Sequence, residues 1–136
     1  MQNTFVTAPP LLRNTLGAAQ GDFVVAEWHD AGGPAGEPRY IAPLHTHYSD
    51  DEAWYVIEGC LHIRSGDEII EARQGTAVMV SKGTPHTFWN PLETKTRYLM
   101  IMTPNIFQLV DSLHKLEERT QERLQEVFRE FDSELN

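Results

Sequence analysis

PLHTHYSDDEAWYVIEG, residues 43–59, is the stretch that decides the fold. His45 and His47 stand two residues apart. On a strand that spacing puts both side chains on one face, whereas on a helix it splays them to nearly opposite sides. Tyr48-Ser49-Asp50-Asp51 has the composition of a turn. Such a turn lets the chain reverse and brings Glu52 in on the adjoining strand. AWYVIEG (53–59) is a β-rich run that meets CLHIRSG (60–66) at Gly59.

The same grammar extends on both sides. FVVAEW (23–28) and RYIAPL (39–44) are β-rich and are separated by the Gly- and Pro-rich loop HDAGGPAGEP (29–38). SGDE (65–68) is a tight-turn signal leading into IIEA (69–72). TAVMV (76–80), TFWN (87–90) and RYLMIM (97–102) complete the series. Short strands at this spacing, joined by Gly, Pro, Asn and Asp, predict an all-β antiparallel sandwich or barrel. From Asn105 onward Gly and Pro disappear. Ile106, Leu109, Val110, Leu113, Leu116, Leu124, Val127, Phe128, Phe131 and Leu135 recur at three- and four-residue steps. That is an amphipathic helical stripe, weakest around Thr120, where two helices can join. Thr103-Pro104 supplies a cap and a first-turn proline. The chain therefore divides into a β-domain, 1–104 with its core at about 23–102, and a C-terminal α-helical extension, 105–136. The apolar stripe of the extension is expected to pack on the barrel or on a second subunit.

Length and charge narrow the function. The 136 residues fit one domain with one core. Twenty Asp and Glu against eleven Lys and Arg give a net charge of −9. Nucleic-acid binding needs a basic face, and adsorption on an anionic membrane is likewise disfavoured, so neither partner is expected. MQNTFVTAPPLL has no basic start followed by an apolar core, so it does not read as a secretory signal, and a cytoplasmic location is the default expectation. The single cysteine, Cys60, permits no internal disulfide and no thiolate-rich zinc site.

His86 arrives from KGTPHTFWN (82–90), where Gly83 and Pro85 shape the turn before it. With His45, His47 and Glu52 it makes three imidazoles and one carboxylate. That donor set suits one divalent transition metal ion: iron, nickel, copper, zinc or cobalt by the imidazoles, with manganese admitted by the carboxylate. Asp50 and Asp51 are rival carboxylates that read as turn residues. His29, His62 and His114 lack partners at useful spacing and read as surface or satisfied histidines.

At these residues the chain resembles the cupin family. The first cupin motif is matched by His45-Thr46-His47, four residues, Glu52, six residues, Gly59. The second is matched by Gly75, five residues, Ser81-Lys82-Gly83, two residues, His86, three residues, Asn90. Ser81 stands where the family usually has proline, and Gly36 lies farther upstream of His45 than the usual opening glycine. The resemblance implies a jelly-roll barrel (a double-stranded β-helix) of two antiparallel sheets, with the metal inside and reached from one mouth, and often a homodimer. Alternation from Glu52 then turns Trp54 and Val56 inward, and alternation from His86 does the same for Phe88. These residues would wall a small-molecule pocket, with Tyr40, Tyr48 and Arg39 at its mouth.

Three functions follow for such a chain. The first is a metal-dependent enzyme on a small organic molecule, dioxygenase-like, with isomerase or decarboxylase chemistry as other outcomes the resemblance implies. Glu52 would then double as general base. The second is a non-catalytic binding or sensor module with zinc or no metal. In the third the ion only ties strands together.

Overall fold

The computed structural model describes residues 4–17 and 21–136. Among these residues nine strands and two helices follow in the order β1 (Val24–Asp30), β2 (Tyr40–His47), β3 (Glu52–Glu58), β4 (Cys60–Ser65), β5 (Glu68–Arg73), β6 (Ala77–Val80), β7 (His86–Trp89), β8 (Thr96–Met102), α1 (Pro104–Lys115), α2 (Gln121–Glu130) and β9 (Ser133–Leu135). They form two antiparallel sheets, β1-β8-β3-β6 and β5-β4-β7-β2-β9. This is the expected all-β sandwich with a helical extension.

Period-two burial builds the core. Along β8, Thr96, Tyr98, Met100 and Met102 are buried and the residues between them are half-buried. Along β3 the buried set is Glu52, Trp54 and Val56. Together with Leu61, Ile63, Phe88, Val24 and Ile106 they fill the space between the sheets. β1 runs on to Asp30, two residues beyond the expected run, because its polar end keeps register with β8 through His29↔Arg97 and Asp30↔Thr96.

Gly59 turns the chain from one sheet to the other. Its φ is +89°, and a Cβ there would lie 2.4 Å from Thr96 Oγ1. That close approach lets the buried Thr96 hydroxyl accept from the Cys60 N–H (3.1 Å) and donate to the Cys60 carbonyl (2.9 Å), locking the β3–β4 corner.

The extension begins as expected. Thr103 Oγ1 accepts from the Ile106 N–H with Pro104 in the first turn of α1, and Thr120 caps α2 in the same way at Arg123. Its end departs from the helical expectation. Asp132 takes a left-handed φ of +51°, stops the helix, and lets Ser133–Leu135 return as strand β9 beside β2. The stripe packs on its own chain: Leu109, Val127, Phe128 and Leu135 form a second buried cluster, and Ile106 enters the barrel core. No helix among the described residues is long and apolar enough to cross a membrane.

Candidate metal centre

His45 and His47 lie at the end of β2, on one face as their spacing predicts, with ring centroids 4.6 Å apart. His86 opens β7, the hydrogen-bonded neighbour of β2, directly opposite His45. Glu52 does not sit on a strand paired with β2. The 48–51 turn crosses between sheets, so Glu52 enters on β3 in the facing sheet. The turn is tied down by the two aspartates read as turn residues. Asp51 Oδ1 accepts from the Lys82 N–H (2.9 Å), and Asp50 Oδ2 accepts from Asn105 Nδ2 (2.9 Å).

All four side chains are buried, and their ligand atoms lie within 4.8 Å of one another. The outer ring nitrogens fix the tautomers. His45 Nδ1 donates to the Pro43 carbonyl (2.5 Å) and His86 Nδ1 to the Thr84 carbonyl (2.9 Å). His47 Nδ1 meets Ser133 Oγ at 2.7 Å, and that hydroxyl donates onward to the Phe131 carbonyl (3.1 Å), so it accepts from the imidazole. A carbonyl only accepts, so each Nδ1 carries the proton and each Nε2 turns a lone pair inward.

The inward atoms are His45 Nε2 and His47 Nε2 at 3.1 Å, His86 Nε2 and Glu52 Oε1 at 3.1 Å, and His47 Nε2 and Glu52 Oε2 at 3.8 Å. On His45 and His47 a second proton does not supply the missing charge. Burial first, then His86, pushes His45 down to about 4, and burial first, then His45 and His86, pushes His47 down to about 2. Four converging acceptors repel one another, and a cation relieves the repulsion. Metal–ligand bonds of about 2.0–2.2 Å place neighbouring ligands roughly 3–3.5 Å apart; the two 3.1 Å separations fall in that range, and the His47–Glu52 pair at 3.8 Å lies just outside it. The cluster can therefore hold a divalent metal ion.

A cavity of about 330 Å³ opens on the centre, lined by His45, His47 and Glu52 and otherwise largely by apolar side chains. Of the expected pocket residues, Phe88 lines it. Trp54 and Val56 do point inward, but they are packed in the closed core, Trp54 edge-on to Phe88 (5.4 Å) and His86 (5.9 Å). Tyr40 and Tyr48 lie exposed: Tyr40 packs edge-on to Trp89, and Tyr48 donates to Glu134 Oε2 (2.5 Å). Arg39 is exposed beside Gly33 rather than in the cavity lining. The walls come instead from Ile41, Met100 and the helices, through Ile106, Leu109, Val110, Leu113 and Phe128. The helical stripe announced these residues as packing surface but not as pocket. Ser133 carried no signal, because its role depends on the return of β9.

The remaining histidines gain partners. His29 meets Glu27 Oε2 at 2.6 Å, and with Arg97 it holds the Glu27 carboxyl below the usual range. His114 packs on Trp28 and lines the cavity. His62 lies within 4.8 Å of Cys60 and Glu71, because the β4–β5 register sets His62 opposite Glu71.

Residues 36–102 match the family model described as a cupin domain. The chain belongs to the cupin superfamily. Solved structures agree on the fold. A cupin protein from Bacteroides fragilis superposes with a TM-score of 0.61 at 17% identity, over 88% of this chain and 93% of that one. A sugar phosphate isomerase of a cupin superfamily from Silicibacter pomeroyi gives 0.55 at 21%, over 66% of this cupin and 57% of the isomerase. A cupin-2 domain protein from Shewanella frigidimarina gives 0.50 at 21%, over 62% and 72%. This cupin thus spans little more than half of the isomerase it resembles. No curated protein matches it significantly.

Proposed function

We propose that this cupin is a metal-dependent enzyme acting on a compact apolar organic molecule, with dioxygenase-like oxidation as its reaction. The observation that carries the reading is the buried centre of three imidazoles and a carboxylate opening into an apolar-walled cavity. His45, His47, Glu52 and His86 would hold the ion. A redox-active ion so held supplies Lewis acidity and access to oxygen chemistry. The protein supplies the rest. Ile106, Leu109 and Phe128 exclude water from the cavity and press an apolar substrate toward the ligands. Among the described residues Glu52 is the one carboxylate lining the cavity, and its two oxygens face different histidines. One oxygen can stay directed at the ion while the other takes a proton from the bound substrate, which makes Glu52 the general base.

The test is oxygen uptake by protein loaded in turn with iron(II), manganese, nickel, copper or cobalt, supplied with single-ring diketones and thiols. The reading expects uptake with at least one metal, lost in Glu52→Gln. Ligand-induced thermal stabilisation without uptake under any metal would instead identify a binding module.

A further inference from the structure

The cavity does not share the acidity of the molecule around it. The chain carries twenty acidic residues and a net charge of −9, yet among the described residues the cavity lining includes one acidic side chain, Glu52, which belongs to the four-ligand cluster. Its permanent cation is Arg119, in the linker between α1 and α2. Arg119 Nη1 donates to the Leu113 carbonyl at 2.7 Å, which anchors the guanidinium at the C-terminal end of α1. Arg73, Arg97, Arg123 and Arg129 each face a carboxylate. Among the described residues Arg119 has no ion pair, so its other N–H groups are free to bind a ligand. Two exposed imidazoles, His29 and His114, share the rim with it, and neither brings a negative charge into the lining. The neighbouring Glu27 carboxylate is already held by Arg97 and His29.

Depth and polarity therefore run together. The metal-ligand side chains are almost wholly buried, Arg119 and His114 are exposed, and the lining also includes Ile41, Met100, Ile106, Leu109, Val110 and Leu113. We infer that the cavity takes a compact apolar molecule bearing a carboxylate, with the carboxylate on Arg119 at the rim and the apolar body directed toward the four-ligand centre. A guanidinium fork matches a carboxylate in two parallel hydrogen bonds, and the apolar walls reward the rest of the molecule for leaving water. The inference rests on the cavity being the substrate site, as proposed above, but it concerns binding and does not require turnover.

Calorimetric titration with octanoate and with 1-octanol, on metal-free and zinc-loaded protein, tests it. Octanoate is expected to bind at least tenfold tighter than octanol in both forms. Arg119→Gln should erase that preference while leaving octanol binding unchanged. Arg123→Gln, on α2 and outside the cavity, should keep it. The inference is overturned if the two ligands bind alike. It is overturned equally if Arg119→Gln keeps the preference, or if octanoate binds only with zinc and survives Arg119→Gln, which would put its head group on the ion. Failure of the enzyme reading looks different: no oxygen uptake, with the octanoate preference intact.

Discussion

Replacing Ser133 by alanine removes the one side-chain hydroxyl that orients a ligand imidazole in this centre. His45 and His86 are steadied by carbonyls two residues away on their own chain segments. His47 depends on a residue 86 positions downstream. Both partners are almost fully buried, so water cannot stand in for the hydroxyl. An unpaired buried Nδ1–H costs about 1–3 kcal/mol, which the metal-free protein should show as lost stability. Partners of this kind typically govern metal affinity by about 10- to 100-fold, or about 1.4–2.7 kcal/mol. The assay is competition for zinc against a chromophoric chelator, with the visible spectrum of the cobalt-loaded protein reporting ligand geometry. Asn136→Ala is the control. It removes the hydrogen bond from Thr46 Oγ1 to Asn136 Oδ1 (2.8 Å), which also ties the C-terminal segment to β2 but touches no ligand. It should lower stability and leave affinity and spectrum unchanged. Zinc affinity within twofold of wild type in Ser133→Ala, or an equal loss in Asn136→Ala, would refute an orienting role.

Gly59→Ala combines a left-handed φ with a Cβ 2.4 Å from Thr96 Oγ1, whereas Gly75, at φ +85°, has open space around it. Denaturant unfolding should show a loss of about 1–2 kcal/mol for Gly75→Ala from the backbone alone and a clearly larger loss for Gly59→Ala; equal losses would remove the corner contact from the account. Phe128→Ala empties a site buried beside the His45 ring, 5.3 Å between centroids, and should cost about 3–5 kcal/mol in the same measurement. Acidification should destabilise the metal-free protein. The unfolded chain protonates these imidazoles below about 6.5, but folded His45 does so only below about 4 and His47 below about 2. Unfolding therefore takes up protons across that window, and stability falls as pH drops from 6.5 toward 4. His47→Gln should flatten the slope between pH 5 and 6 by about 1.2 kcal/mol per pH unit, and an unchanged slope would show that His47 is not held neutral.

What was legible in the sequence is what local periodicity controls. The two-residue step from His45 to His47, the polar turn before Glu52 and the glycine-marked approach to His86 all reflect strand geometry, and the structure brings those four side chains together. The tertiary choices were less legible. Parity turned Trp54 and Val56 inward correctly, but inward includes both core and cavity, and only the packing of the helices separates the two. Leu135 falls four residues after Phe131, so it fits a helical stripe although it lies in a strand. The break at Asp132 rests on one left-handed residue of a type that tolerates that conformation, a weak signal in a polar segment. Ser133 and Arg119 have meaning only once that segment has folded back over the barrel.

Metal content shows most directly whether His45, His47, Glu52 and His86 form a metal centre. The protein should be purified without added metal, analysed for first-row elements, and then titrated with zinc beside His86→Ala. One tightly held divalent ion per chain is expected, and its loss in the variant. A wild-type protein that binds none of these ions, or a His86→Ala protein that binds zinc equally well, would contradict it.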